Sequence, residues 1–102
     1  MEVEVRTPHD DYPKEATDMV RERLMGLAGV SEGATHVKAL IGKDRERHTV
    51  EIVATGWGRA VHRSDASADS LAKAVAEAVE QLERALRRRD DKHRDLQRKP
   101  HE

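Results

Sequence analysis

The sequence predicts an α+β fold in the order β-α-β-β-β-α, with a four-stranded mixed sheet and two helices packed on one face. Four segments show the apolar alternation or the β-branched content of strands, and two longer segments space their apolar residues by three and four, as helices do. The length of 102 residues suits one domain with one modest core. The first helix connects strands one and two, which are therefore expected to be parallel, and the later strands are expected to form an antiparallel meander.

The first strand is predicted at MEVEVR, where Val3 and Val5 share one face and two glutamates share the other. The second is predicted at THVKALIG, followed by the polar turn GKDRER. The third is predicted at HTVEIVAT, and the GWG loop after it suggests a backbone with positive φ. The predicted strand bounds are Met1–Arg6, Thr35–Gly42, His48–Thr55 and Arg59–Asp65.

Both helices are predicted from an apolar stripe. In the first, which begins at Lys14, the stripe ends near two glycines. In the second, Ser67 or Asp65 is the expected N-terminal cap. The stripe of the first helix is Ala16, Met19, Val20, Leu24 and Leu27, and that of the second is Leu71, Val75, Ala78, Val79, Leu82 and Leu86.

Several classes of protein are disfavoured by composition. Without cysteine there is no disulfide or thiolate metal site, and without a long apolar run or a signal-like start we expect a cytoplasmic protein rather than a secreted or membrane one. The six histidines show no metal-ligand spacing, and the chain has neither a phosphate loop nor a nucleophile motif. The serines at 64, 67 and 70 are interpreted as strand-end and capping residues. We therefore expect no enzymatic activity, cofactor or metal.

Positive charge is concentrated at the C-terminal end. The formal net charge is -1, yet from Arg84 onward eight lysines and arginines stand against four acidic residues. Such an asymmetry indicates a local basic surface suited to a polyanion. At 100° per residue, Lys73, Arg84 and Arg87 lie opposite the apolar stripe, with Arg88 beside them.

Two interpretations of this basic helix face remain open from the pattern alone. Cations along a rigid helix can meet successive phosphates, but charged helix ends are also commonly just solvated, and Asp90 and Asp91 interrupt the cluster. The only aromatic residues are Tyr12 and Trp57, so RNA would be held through phosphates and shape rather than by base stacking. Trp57 is expected to pack over its own sheet edge rather than to stack on a base.

The segment from His48 to Arg94, HTVEIVATGWGRAVHRSDASADSLAKAVAEAVEQLERALRRRDDKHR, resembles the ribosome hibernation-promoting factors, also called ribosome-associated inhibitor A or S30AE-type proteins. The resemblance implies a fold like that of double-stranded-RNA-binding domains. It also implies a partner, the small ribosomal subunit with its 16S-type rRNA, and no DNA or membrane. The implied function is to block the channel for messenger and transfer RNA and so inhibit translation during stress or stationary phase.

The resemblance places basic contacts on the last helix at Arg84, Arg88 and Lys92, with Arg87 and Arg94 as neighbours. It also implies a contribution from the first helix, which carries Arg21 and Arg23. We expect residues 1–94 to form the ribosome-binding domain and 95–102 a charged tail, either as a short form or as the N-terminal domain of a longer protein. The predicted RNA-binding set is Arg21, Arg23, Lys73, Arg84, Arg87, Arg88, Lys92 and Arg94.

The alternative hypothesis is a protein-interaction module that forms a homodimer through the open face of its sheet. A dimer seam favours apolar residues, whereas an RNA surface favours the outward arginines. A small hydrolase or metal enzyme would need a convergent cluster of histidines and carboxylates, and no spacing in the sequence predicts one.

Overall fold

A computed structural model of the chain describes residues 2–8, 12–29, 33–56 and 60–97, and for residues 28, 29 and 89–97 it describes the backbone alone. The element order confirms the predicted β-α-β-β-β-α arrangement. A short 3-10 helix, Gly26–Gly29, follows the first α-helix. The elements are β1 (Glu2–Arg6), α1 (Lys14–Met25), β2 (Ala34–Asp44), β3 (Arg47–Gly56), β4 (Ala60–Ala68) and α2 (Leu71–Gln97).

The four strands form one mixed sheet in the order β1-β2-β3-β4. The predicted pairing is confirmed: β1 runs parallel to β2, and the other neighbours are antiparallel. In this register Val3 lies beside Val37, and Ile52 lies between Ala39 and Ser64. Alternate residues of all strands therefore face the same side, as the period of two requires.

The core lies between this side of the sheet and the two helices. α2 packs across β3 and β4, while α1 packs against β1. In the part of α2 whose side chains are described, the buried residues extend from Ala74 to Leu86. Val20, Leu24 and Leu27 close the core from the α1 side, which confirms the predicted stripes.

The strands are longer than the sequence predicted. Lys43, Asp44 and Arg47, expected in a polar turn, are paired in the ladder, so the β2–β3 turn is only Arg45 and Glu46. Arg45 adopts a φ of 61°, the left-handed conformation that a tight hairpin requires.

The end of β4 corrects the predicted cap of α2. Pairing with β3 continues as far as Ala68, so Asp65 and Ser67 are strand residues and neither caps the helix. The cap is Ser70, whose hydroxyl accepts a hydrogen bond from the backbone N–H of Lys73 at 3.2 Å. Ser64 is also inside the strand rather than at its end, and its buried hydroxyl donates to the Ala78 carbonyl at 2.8 Å.

Tyr12 connects the segment before α1 to the β2–β3 hairpin. Its hydroxyl donates to the Gly42 carbonyl at 3.0 Å and lies 2.8 Å from Nδ1 of His48. The ring packs against the core and is only partly exposed. This aromatic ring is therefore a structural residue. The expectations for Trp57 and for the second glycine of the GWG loop concern positions outside the described residues.

Candidate nucleic-acid interface

Two stripes of α2 define the geometry of the basic region. Ala78, Leu82 and Leu86 are buried against the sheet. Gln81 and Ala85 each precede one of these leucines, and a step of one residue rotates a position by about 100° around the helix. Together with Arg84 and Arg88 they therefore form a second stripe along the flank of α2.

This flank and strand β4 enclose a shallow open cleft of about 690 Å³. Ala85 contributes only a methyl group, which leaves space between the longer side chains above and below it. Of the six lining residues within the described part of the chain, four are arginines and none is acidic. We call this feature the arginine cleft, and its lining residues are Arg63, Gln81, Arg84, Ala85, Arg87 and Arg88.

The guanidinium groups of the arginine cleft are accessible to solvent. The side chain of Arg84 is 63% exposed, and its nearest carboxylate partner, Glu80, lies at 4.0 Å, the outer limit of an ion pair. Nε of Arg88 donates to the Arg84 carbonyl at 3.4 Å, which leaves its terminal nitrogens outside that bond. Ion pairs this exposed are weak, so a phosphate can replace them at little cost.

The structure brings together only part of the predicted RNA-binding set. Arg84, Arg87 and Arg88 line one cleft. Lys73 lies eleven residues earlier on α2, about 16 Å along the helix axis, and pairs with Asp69 at 3.4 Å.

The remaining predicted residues lie outside the cleft or beyond what is described. Arg21 and Arg23 are exposed on α1, which packs against β1. β1 is the edge strand opposite to β4, so these arginines lie far from the cleft. Lys92 and Arg94 belong to α2, but their side chains lie outside the described part of the structure.

Arg63 is a cleft residue that the sequence pattern did not predict, although the topology contains a signal for it. β4 and α2 run in opposite directions from a short connection at Asp69 and Ser70. Six strand residues back from Asp69 span about 20 Å, and thirteen helix residues forward from Leu71 span a similar distance. These counts lead to Arg63 and Arg84, which line the same cleft.

The open face of the sheet carries charged residues together with apolar ones such as Leu40, Val53 and Val61. His36 lies between two carboxylates, 3.4 Å from Glu2 and 3.5 Å from Glu4. The pKa of Glu4 is lowered, mainly by a hydrogen bond from Arg6.

Within the described ranges, no group of three or more histidine, aspartate or glutamate side chains is arranged to hold a metal ion.

Nearly the whole chain matches a known protein family. Residues 3–94 match the model of a family described as Sigma 54 modulation protein / S30EA ribosomal protein, the S30AE family. The chain belongs to the S30AE family. This confirms the resemblance found in the sequence, and the match also includes the part of the chain before His48, outside the segment that carried the resemblance.

Solved structures share the fold of this S30AE chain. One, described as a ribosomal subunit interface protein from Coxiella burnetii, superimposes with a TM-score of 0.80 at 13% identity, covering 89% of this chain and 99% of that one. Another, the N-terminal domain of Protein Y from Thermus thermophilus, gives a TM-score of 0.71 at 21% identity, covering 85% and 93%. No curated protein sequence gives a significant match. In the described part of this S30AE chain, neither helix is both long and apolar enough to cross a membrane.

Proposed function

We propose that this protein is a non-catalytic ribosome-binding factor of the cytoplasm. It contacts 16S-type rRNA of the small subunit through the arginine cleft, occupies the channel for messenger and transfer RNA, and inhibits translation during stress or stationary phase. Membership of the S30AE family supports ribosome association. The single observation that carries the RNA contact is the cleft itself: of its six described lining residues, four are arginines and none is acidic.

Arginine is well suited to this contact. Its planar guanidinium can donate two parallel hydrogen bonds to one phosphate, and it remains charged at any physiological pH. The folded body beside the cleft contributes bulk rather than chemistry, because a rigid sheet bound in a channel excludes other ligands. The charge of the cleft then supplies affinity, and the shape of the body supplies specificity.

The described aromatic ring is already used inside the protein. Tyr12 is held by the Gly42 carbonyl and by His48, so it is not available to stack on a base. The open sheet face carries charged side chains in place of the exposed rings that sheet-based readers of single-stranded RNA present. Both observations favour binding through phosphates over base recognition.

Sedimentation with purified small subunits across a salt series tests the proposal. Neutralising five or six phosphates predicts a slope of about -4 to -5 for log affinity against log salt concentration. The double variant Arg84→Glu with Arg88→Glu should lose most binding. A matched control, Lys14→Glu with Arg45→Glu, makes the same charge change at exposed positions on other surfaces and should bind nearly as the wild type does. Binding that is insensitive to salt, or equal loss in both double variants, would contradict a specific role for the cleft.

The extent of the binding unit is part of the proposal. We assign ribosome binding to residues 1–94 and treat 95–102, which carry two basic and two acidic residues, as a charged tail that adds little to the binding. In a chain that ends at Arg94, the double variant Arg84→Glu with Arg88→Glu should therefore weaken binding as much as it does in the full chain. The slope of log affinity against log salt concentration should become only slightly smaller. If that truncation abolishes binding, the tail belongs to the site.

The alternative, homodimerisation through the open sheet face, has less support. That face carries ion pairs such as Glu51 with Arg63, whereas a stable dimer interface is depleted of charge at its centre. Light scattering separates the two functions: the proposal expects a monomer that binds small subunits, and a firm dimer that hides Arg84 and Arg88 would favour the interaction module.

A further inference from the structure

Arg63 takes part in two neighbouring features of the surface. It lines the arginine cleft from the edge of the sheet, and its guanidinium also lies 3.4 Å from the carboxylate of Glu51 on the open face. The side chains are 67% and 47% exposed, so neither is fixed by burial. Because β4 is an edge strand of the described sheet, no further strand among the described residues stands between the open face and α2 at this position.

The pairing with Glu51 has a local cause. Glu51 of β3 stands directly opposite Asp65 of β4, and like charges in opposed positions destabilise a sheet. Arg63 is two residues from Asp65 on the same strand and so lies on the same face. Its guanidinium therefore relieves the repulsion between the two carboxylates.

In the arginine cleft the crowded charges are positive, and this is why the cleft attracts anions. Arg84, Arg87 and Arg88 are crowded on neighbouring turns of α2, and none of the described lining residues is acidic. The carboxylate beside them, Glu80, pairs with Arg84 only at 4.0 Å and in an exposed position. An anion that enters the cleft meets three guanidinium groups from the helix, with the fourth at the rim. The cleft is shallow and open, so a stretch of sugar-phosphate backbone can lie along its volume of about 690 Å³.

We infer that Arg63 has two positions: it pairs with Glu51 in the free protein, and it releases Glu51 to close the arginine cleft over an RNA phosphate in the bound protein. Glu51 is then a competing carboxylate that sets the affinity of the cleft. The identity of the anion rests on the proposed function, whereas the exchange of partners rests on the positions of Arg63, Glu51 and the three helix arginines.

Opposite effects of two substitutions follow from this exchange. Arg63→Gln should weaken binding to a short RNA duplex by about 3- to 10-fold and reduce the salt slope by about 0.9, the contribution of one phosphate. Glu51→Gln should strengthen binding by about 1.5- to 5-fold, the range that corresponds to loss of an exposed ion pair. In the Arg63→Gln background, Glu51→Gln should have no further effect, because the two act through one contact.

Asp65→Asn is the matched control. It removes the same charge from the residue opposite Glu51, but no ion pair with Arg63 is present there to be released. It should change affinity less than Glu51→Gln does. Equal strengthening by both variants would reduce the effect to net charge and overturn the inference. Arg63→Lys keeps the positive charge but lacks the bidentate geometry of a guanidinium. It should therefore bind the RNA duplex more tightly than Arg63→Gln and more weakly than the wild type.

Two measurements separate this inference from the proposed function. The first follows the Nε–H resonances of Arg63 and Arg84 by NMR during titration with inorganic pyrophosphate, and both should shift at similar concentrations. The second is sedimentation with small subunits. Shifts at both arginines without sedimentation would overturn the proposed function and keep the cleft as an anion site. Salt-sensitive sedimentation that Arg63→Gln leaves unchanged, or no shift at Arg63, would overturn the two-position role and leave the proposed function intact.

Discussion

Replacing Gly56 with alanine is expected to destabilise the fold strongly, although it adds only one methyl group. Gly56 ends β3 with a φ of 154°, a conformation that residues with a side chain rarely adopt. A Cβ at this position would lie 2.2 Å from the Gly33 carbonyl oxygen and 2.9 Å from the backbone nitrogen of Thr35. These are backbone atoms at and just before the start of β2, beside the pairing of Ala34 with Gly56, so they cannot rotate aside as a side chain could.

The magnitude combines two costs. Backbone strain contributes about 1–3 kcal/mol and overpacking about the same, so the free energy of unfolding should fall by about 2–6 kcal/mol. Small domains are stable by only about 5–15 kcal/mol, so this is a large fraction of the total. Urea unfolding followed by circular dichroism at equilibrium measures the change directly.

Gly26→Ala is the internal control for the same substitution. Gly26 has a helical φ of -63°, and an added Cβ would meet no atom within 4 Å. Alanine loses less conformational entropy on folding, so this variant should be about 0.4–1 kcal/mol more stable than the wild type. Backbone strain alone should cost at least about 1 kcal/mol at Gly56. The reasoning from backbone geometry would be refuted if Gly56→Ala lowered the free energy of unfolding by less than that, or if Gly26→Ala lowered it at all.

Three further variants test other contacts. Ser64→Ala removes the hydrogen bond to the Ala78 carbonyl and should cost about 1 kcal/mol in urea unfolding, whereas no change would show that the bond adds nothing. Leu86→Ala leaves a cavity at the last buried position described on α2 and should lower the free energy of unfolding by about 2–5 kcal/mol. A much smaller loss would contradict the packing of α2 at this position. The lowered pKa of Glu4 gives stability that is present above its ordinary value of 4.5 and is lost as pH falls through the folded value. Arg6→Gln should raise that pKa in an NMR titration and shrink the loss of stability in acid; an unchanged pKa would contradict the assigned cause.

The element order could be predicted because it depends on local patterns. Val3, Val5, Val50 and Ile52 alternate with polar residues, and this period of two requires a strand with one buried face wherever the strand is placed. The α2 stripe has the period of a helix over more than four turns, and its buried residues match the predicted ones through Leu86.

Strand ends were harder to predict because pairing decides them. The tight turn at Arg45 and Glu46 and the extension of β4 to Ala68 both follow from the ladder with β3, which supplies hydrogen bonds to residues whose own composition resembles a turn. The helix cap is Ser70 rather than a predicted residue for the same reason, since a residue paired in a ladder cannot also begin a helix.

The sequence by itself determined the alternation and stripe that specify a β-α-β-β-β-α chain, and it determined the cluster of arginines at 84, 87 and 88, because both are properties of residues close together along the chain. Only the tertiary structure decided that Arg63 joins this cluster and that Glu51 shares Arg63 with the cleft. The physical reason is distance: charges interact through space, within about 10 Å at ordinary ionic strength, and folding places residues 63 and 84 beside one cleft although they are far apart along the chain.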